Sequence, residues 1–199
     1  MPEENLKTYH EKRNFKHTPE PYGRDGEAKE NIFVIQKHKA TNLHYDFRIE
    51  MEGVLKSWAV PKGPSTDPKV KRLALPTEDH PIEYAGFEGV IPEGYGAGTV
   101  MVWDTGTYGN LWSEKDADNR LTMTQAYEKG RIEIRLNGKK LKGGYALIRT
   151  GGIADRKWLL IKERDEYANK PADPVQAEPD SALTGRSLEE IAGQGGRRE

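Results

Sequence analysis

The sequence contains no cysteine. Disulfides and thiolate-held metals are therefore excluded, and any bound cation must be held by His and carboxylate groups. The same absence fits a cytoplasmic protein. No run of about eighteen apolar residues occurs, so no membrane-spanning helix is expected. The N-terminal MPEENLKTYHEKRNF lacks the apolar stretch of a secretory signal. An excess of either charge is also missing. Lys and Arg number 31 against 32 Asp and Glu. That balance argues against a uniformly basic duplex binder and leaves room for a local basic pocket. Histidine is scarce, with five in 199 residues, so the places where it clusters are informative.

From Phe33 onward, short alternating apolar runs are separated by turn signals. FVIQKH, LHYDFRIE, VLKSWAV, RLALPTE, TVMVWD, RIEIRL, KLKGGYALIR and KWLLIK each predict a strand. Glu52-Gly53, Asp104-Thr105-Gly106 and Asn137-Gly138 are the expected turns. One stretch, about Arg120 to Lys129, has helical texture and stops at Gly130. About eight strands and one short helix predict a mainly β protein, a compact antiparallel barrel. The domain is expected over residues 1–167. Residues 168–199 read as a linker-like tail with one short helix in LTGRSLEEIA. Without the motifs discussed below, the polar residues 1–30 would read as a disordered leader.

Leu43 to Glu50 alternates strictly. His44, Asp46, Arg48 and Glu50 share one face, and Leu43, Tyr45, Phe47 and Ile49 the other. Placing His38 opposite His44 sets Gln36 against Asp46 and Val34 against Arg48. Phe33 and Ile35 then meet Ile49 and Phe47 on the apolar face. A one-residue slip would bury the polar set, so this register is expected to be well specified. It gathers two imidazoles and a carboxylate, a common open site for Zn²⁺ or Mn²⁺. The same donor set serves non-haem iron enzymes, but neighbouring arginines point to a phosphorylated substrate. In RLALPTEDH, Arg72, Glu78 and His80 share parity, which would bring Arg72, Arg48 and His80 around a phosphate. Gly94-Tyr95-Gly96-Ala97-Gly98 lacks the Lys-Ser/Thr of a nucleotide-binding P-loop and reads as a tight turn. Lys62, Lys69, Lys71 and the group Lys139, Lys140 and Lys142 are candidates for following backbone phosphates.

Several long segments together resemble the 3′-phosphoesterase domain of bacterial DNA ligase D and its free-standing relatives. They are YHEKRNFKHTPEP, QKHKATNLHYDFRIEMEGVLKSWAVPKGPS, KRLALPTEDHPIEYAGFEGVIPEGYGAG, GTVMVWDTGTY, KLKGGYALIRT and KWLLIK. The resemblance implies an antiparallel β-barrel with Mn²⁺-dependent activity, Co²⁺ or Zn²⁺ being alternative metals. It implies removal of a 3′-terminal ribonucleoside to leave a 3′-phosphate, then hydrolysis of that phosphate to a 3′-OH. The substrate would be the 3′ end of primer-template DNA or a DNA/RNA hybrid. A separate ligase or polymerase of end joining would be the partner, and the chain a free-standing monomer. Metal ligands carry over to His38, His44 and Asp46. Phosphate-contacting residues carry over to Arg48, Arg72, His80 and Tyr84, with Gln36 and Glu78 in support. Arg13 and Glu20 complete the site, so the leader over residues 8–21 is expected to pack across the pocket. Two departures from the family pattern stand out: Asn14 occupies a usual Asp position, and Gly94 meets Tyr95 without an intervening residue. The alternative function is a non-catalytic module that docks DNA ends.

Overall fold

In a computed structural model describing residues 6–23, 31–115, 117–151 and 157–194, the sheet closes on itself. Nine strands form: β1 Ile32–Lys39, β2 Leu43–Met51, β3 Val54–Val60, β4 Lys71–Pro76, β5 Gly89–Ile91, β6 Gly98–Asn110, β7 Arg131–Gly138, β8 Lys142–Thr150 and β9 Lys157–Lys162. Pairing runs β1-β2-β3-β4-β9-β8-β7-β6, and β6 returns to β1, giving a closed eight-stranded antiparallel barrel. The short β5 flanks β6 outside the ring. All eight expected strands are present; β5, three residues long, carries too little periodicity to be seen in sequence.

Closure removes the exposed sheet edges. Phe33, Ile35, Phe47, Ile49, Trp58, Met101, Trp103, Leu147 and Leu160 fill the interior. A second cluster lies on the outer face of β1, β3 and β6, where Val34, Leu55 and Val102 meet Leu6, Tyr9 and Tyr84. The leader, with helix α1 (Lys7–Glu11), supplies two of these residues, and Tyr9 is fully buried. That anchoring is why β1 and β2 are buried on both faces. Helix α2 (Met123–Lys129) is shorter than its texture suggested. Thr122 and Gln125 close a capping box at its start, and Gly130 ends it in the left-handed conformation.

Glu52-Gly53 forms the expected β2–β3 turn, with φ of 54° and 82°. The other two turn signals fall elsewhere. Asp104-Thr105-Gly106 lies inside the long β6, just beyond a bulge at Trp103. Asn137 and Gly138 belong to the end of β7, and the chain reverses at Lys139-Lys140. The buried Asp104 carboxylate decides this by accepting from the backbone N–H groups of Thr105, Lys140 and Leu141. A Cβ at Gly138 would lie 2.5 Å from Asp104 Oδ2, so glycine is needed there for close approach.

Residues 168–199 were expected to be linker-like, but residues 169–194 pack on the barrel. Helices α3 (Pro174–Ala177) and α4 (Leu188–Gln194) frame the segment. Leu188 and Ile191 of α4 join the core. Trp103 Nε1 donates to Glu178 O at 2.7 Å, and Lys140 Nζ donates to the carbonyls of Glu178 and Asp180. Lys139 Nζ donates to Ala182 O. These two lysines therefore hold the tail rather than face a ligand. The buried Glu88 carboxylate accepts from Val102 N, Ser181 Oγ, Thr184 Oγ1 and Arg186 Nη2. Glu88→Ala would strand those donors, and urea denaturation is expected to report a loss of about 1–3 kcal/mol. An unchanged midpoint would show that the tail adds nothing to barrel stability.

Candidate metal centre

β1 and β2 pair with Phe33 opposite Ile49, Gln36 opposite Asp46 and His38 opposite His44. This is the register that the alternating pattern requires. It places His38 and His44 beside Asp46 on the outer face of the barrel, beneath the leader. Asp46 Oδ2 lies 3.6 Å from His38 Nδ1 and 3.6 Å from His44 Nε2. Among the described residues, these three form the single group whose ligand atoms lie within 4.8 Å of one another.

The remaining ring nitrogens fix both tautomers. His38 Nε2 donates to Gly96 O at 2.9 Å, and His44 Nδ1 donates to Asn42 O at 3.0 Å. In this tautomer each imidazole turns its other nitrogen, the one able to offer a lone pair, toward the carboxylate. Backbone carbonyls orient metal-binding imidazoles in this way. Three lone-pair groups converging on one point repel unless a proton or a cation sits between them, so the donor set fits a divalent metal. Burial alone would raise Asp46, but Arg48 and the two imidazoles more than offset it and hold its carboxyl well below the usual range. The facing Asp46 carboxylate raises the His44 imidazole above its ordinary value, because a proton on Nε2 relieves the repulsion where no cation does.

Beside this trio lies a cavity of about 220 Å³ lined by Arg13, Glu20, Arg48, Glu78, His80 and Tyr84 as well as the three donors. Gln36 sits behind it. Its amide nitrogen donates to the carbonyls of Tyr84 and Phe87, and its oxygen accepts from Arg48 Nε at 2.8 Å. Arg48 Nη2 is 3.2 Å from Asp46. Arg13 reaches in from the leader, bonded to Glu20 at 2.9 Å and Glu78 at 3.0 Å. Tyr84 donates to the same Glu20 oxygen at 3.0 Å. Burial, then Glu20, raise this phenol well above its ordinary value, so it stays protonated.

Arg72 is not brought to this cavity. Pro76 ends β4, and the following segment accommodates one extra residue before His80 bonds back to Leu55. Parity therefore reverses between Arg72 and His80. Arg72 shares the barrel side with buried Ala74, while Leu73 and Leu75 face outward and are partly exposed. Asn14 is exposed and also stands outside the cavity, its side chain accepting from Lys16 N. Sequence reasoning missed Lys12, Thr77 and Tyr95. Lys12 and Tyr95 meet Glu78, and Tyr95 lies in the Gly-rich loop that had been read only as a turn.

His80 lies between two guanidinium groups, with Arg48 Nη1 3.0 Å from Nδ1 and Arg13 Nη2 3.2 Å from Nε2. Guanidinium only donates, and a neutral imidazole has one lone pair. Nδ1 is also 2.9 Å from Glu78 O, which favours the proton on Nδ1 and leaves Nε2 to accept from Arg13. Burial first, then Arg48 and Arg13, hold His80 well below the ordinary imidazole value. The unfolded chain protonates this residue below about pH 6.5, whereas the folded protein does not. Its contribution to stability is complete above that pH and is lost as pH falls toward the folded value. The melting temperature of His80→Gln is accordingly expected to drop less between about pH 7 and 5 than that of the wild type. Parallel drops would contradict a neutral buried His80.

The family model for the DNA Ligase D 3'-phosphoesterase domain matches residues 36–149, more than half of the chain. The chain belongs to this family. The multifunctional non-homologous end joining protein LigD of Pseudomonas aeruginosa is 47% identical over 190 residues, 92% of this chain and 22% of the relative. The corresponding Mycobacterium tuberculosis DNA repair protein is 45% identical over 168 residues, 83% of this chain and 20% of the relative. The Mycolicibacterium smegmatis protein is 42% identical over 171 residues, covering 84% and 22%. The chain thus spans about a fifth of the length of these relatives. Among the described residues no helix is long and apolar enough to cross a membrane.

Proposed function

We propose that this cavity is the active site of a Mn²⁺-dependent 3′-phosphoesterase. It removes a 3′-terminal ribonucleoside to leave a 3′-phosphate and hydrolyses a 3′-phosphate to a 3′-OH, on primer-template DNA or a DNA/RNA hybrid. The observation that carries the reading is that one cavity joins the His38, His44 and Asp46 donors to Arg13 and Arg48. Counted as ionised, Asp46, Glu20 and Glu78 against Arg13 and Arg48 leave one negative charge, three against two. A divalent cation reverses that sign and makes the cavity a receptor for phosphate.

A bound Mn²⁺, or Co²⁺ or Zn²⁺ in its place, would supply Lewis-acid polarisation of a phosphoryl oxygen. Arg48, aligned by Gln36, and Arg13, aligned by Glu20 and Glu78, hold the other non-bridging oxygens and offset charge in the transition state. His80 Nε2 faces the same space. An approaching phosphate dianion raises its proton affinity, so the imidazole can gain a proton and pass it to the leaving 3′ oxygen. Tyr84 keeps Glu20, and through it Arg13, in place. No side chain of this set is an evident nucleophile, so water attacks the phosphorus during phosphate hydrolysis. Arg72 takes no part in this mechanism.

A 5′-labelled primer-template ending in one ribonucleotide, and another ending in a 3′-phosphate, test the reading with Mn²⁺ or with EDTA. Mn²⁺-dependent conversion of both supports the full activity. Conversion of the phosphate alone keeps the phosphatase and removes the ribonucleoside step. Conversion of neither by a folded protein rejects the enzyme and favours an end-binding module.

A further inference from the structure

The cavity at the metal centre opens sideways. Its wall at Thr77, Glu78 and Tyr95 is also the near wall of a larger groove of about 550 Å³. Lys56, Tyr127, Arg149 and Trp158 form the far wall, and Lys12 stands at the junction. In this groove cations alternate with aromatic rings. Lys12 Nζ is 4.3 Å from the Tyr95 ring centre, Lys56 Nζ 5.5 Å from Tyr127, and the Arg149 guanidinium 5.7 Å from Trp158. Tyr127 stacks on Trp158 with centroids 5.5 Å apart and planes at 24°. Tyr95 is 49% exposed and held out on the Gly-rich loop.

Two further observations suggest that the groove receives a ligand. Thr77 Oγ1, in the shared wall, is shielded from solvent and has no hydrogen-bond partner. Buried hydroxyls are normally bonded, so this one lacks an acceptor. Arg149 forms no ion pair among the described residues, and its Nη2 donates only to Glu128 O at 3.0 Å. The two carboxylates of the groove are already matched: Glu78 by Lys12 and Arg13, and Asp79 by Lys56 at 2.5 Å. The unmatched charge is therefore positive.

We propose that this groove binds the nucleotides immediately 5′ of the reacting end, as a strand frayed from its template over those nucleotides. Tyr95 at the mouth stacks on a base beside the terminal sugar. Arg149 contacts a backbone phosphate, and Thr77 Oγ1 donates to a sugar or phosphate oxygen. An exposed ring beside cations is the chemistry of sequence-tolerant strand binding, since every base offers a ring face and every linkage a charge; Tyr95 supplies that ring, while Trp158 is buried in the core beneath Tyr127. The inference rests on the phosphoesterase reading of the adjoining cavity and names the part of the substrate that reading leaves unplaced.

The test is competition binding in EDTA, where metal-dependent turnover is absent. Unlabelled oligodeoxynucleotides of two and eight nucleotides, each ending in a 3′-phosphate, displace a fluorescein-labelled eight-mer monitored by anisotropy. Wild-type affinity is expected to rise strongly from two to eight nucleotides. Tyr95→Leu and Arg149→Gln are each expected to shrink that rise about tenfold or more. Lys7→Gln, which removes an exposed charge elsewhere, should leave it intact. Circular dichroism checks that the two groove variants fold. An equal rise in wild type and both groove variants, or no rise at all, overturns the proposal. Wild-type turnover with Mn²⁺, assayed in parallel, reports separately on the phosphoesterase reading. Absent turnover with a groove-dependent rise would leave strand binding standing and reject the enzyme.

Discussion

Asp46→Asn is expected to reduce Mn²⁺-dependent turnover at least about 10³-fold, because the chemistry supplied by a catalytic metal is worth several kcal/mol. Asparagine matches aspartate in size, so the packing between β1 and β2 survives. What changes is charge. The carboxylate lies 3.6 Å from each imidazole nitrogen and 3.2 Å from Arg48, and both its pull on a cation held between the three donors and its pairing with Arg48 depend on its being negative. An amide in its place would weaken the attraction for a cation and leave Arg48 without its counter-charge. Titration calorimetry with Mn²⁺ should show affinity lowered by about 100-fold or more, since weaker, second-layer changes at metal sites already cost about 10–100-fold. Folded protein that still binds Mn²⁺ and still turns over would refute the proposed centre.

Arg48→Lys is the second large effect, and it separates charge from geometry. Arg48 serves three directions at once: Nε donates to Gln36, Nη2 faces Asp46 and Nη1 approaches His80. Lysine keeps the charge as a point on a flexible stem and cannot reproduce the planar fork. Removing one preorganised donor from a reacting oxyanion typically costs about 10²–10³ in kcat. The expected result is a loss of that order in kcat with Mn²⁺ affinity nearly unchanged, read by steady-state kinetics and calorimetry together. Gln36→Leu, which removes the side chain that aligns Arg48, should lower kcat by a smaller factor, about 10–100-fold. A lysine variant with full kcat would show that charge alone suffices at this position.

Much of the site was legible in sequence because it sits on a hairpin. Strand periodicity is fixed, so the pattern from Phe33 to Glu50 admits one register that buries Phe33, Ile35, Phe47 and Ile49, and that register joins His38, His44 and Asp46. The eight longer strands were legible for the same reason. Arg72 shows where the argument fails: parity holds only within a continuous strand, and β4 ends at Pro76, which lacks the N–H needed to continue the ladder. The Asn137-Gly138 turn failed differently, because the Asp104 carboxylate, 33 residues or more away in sequence, binds the backbone of the true turn.

By itself, the sequence determined the mainly β barrel, the absence of thiolate chemistry and the strand face that carries the candidate metal donors. These follow from local alternation, turn chemistry and residue type, all of which act over a few positions. Only the tertiary structure decided how the leader and the tail are used. Arg13 meets Glu78 and His80 across 65 and 67 residues, and Glu88 meets Arg186 across 98. The tautomers of His38 and His44 were likewise decided by loop carbonyls at Gly96 and Asn42. The physical reason is that a long-range polar contact requires both partners to be buried together, and burial is a property of the closed barrel rather than of either segment.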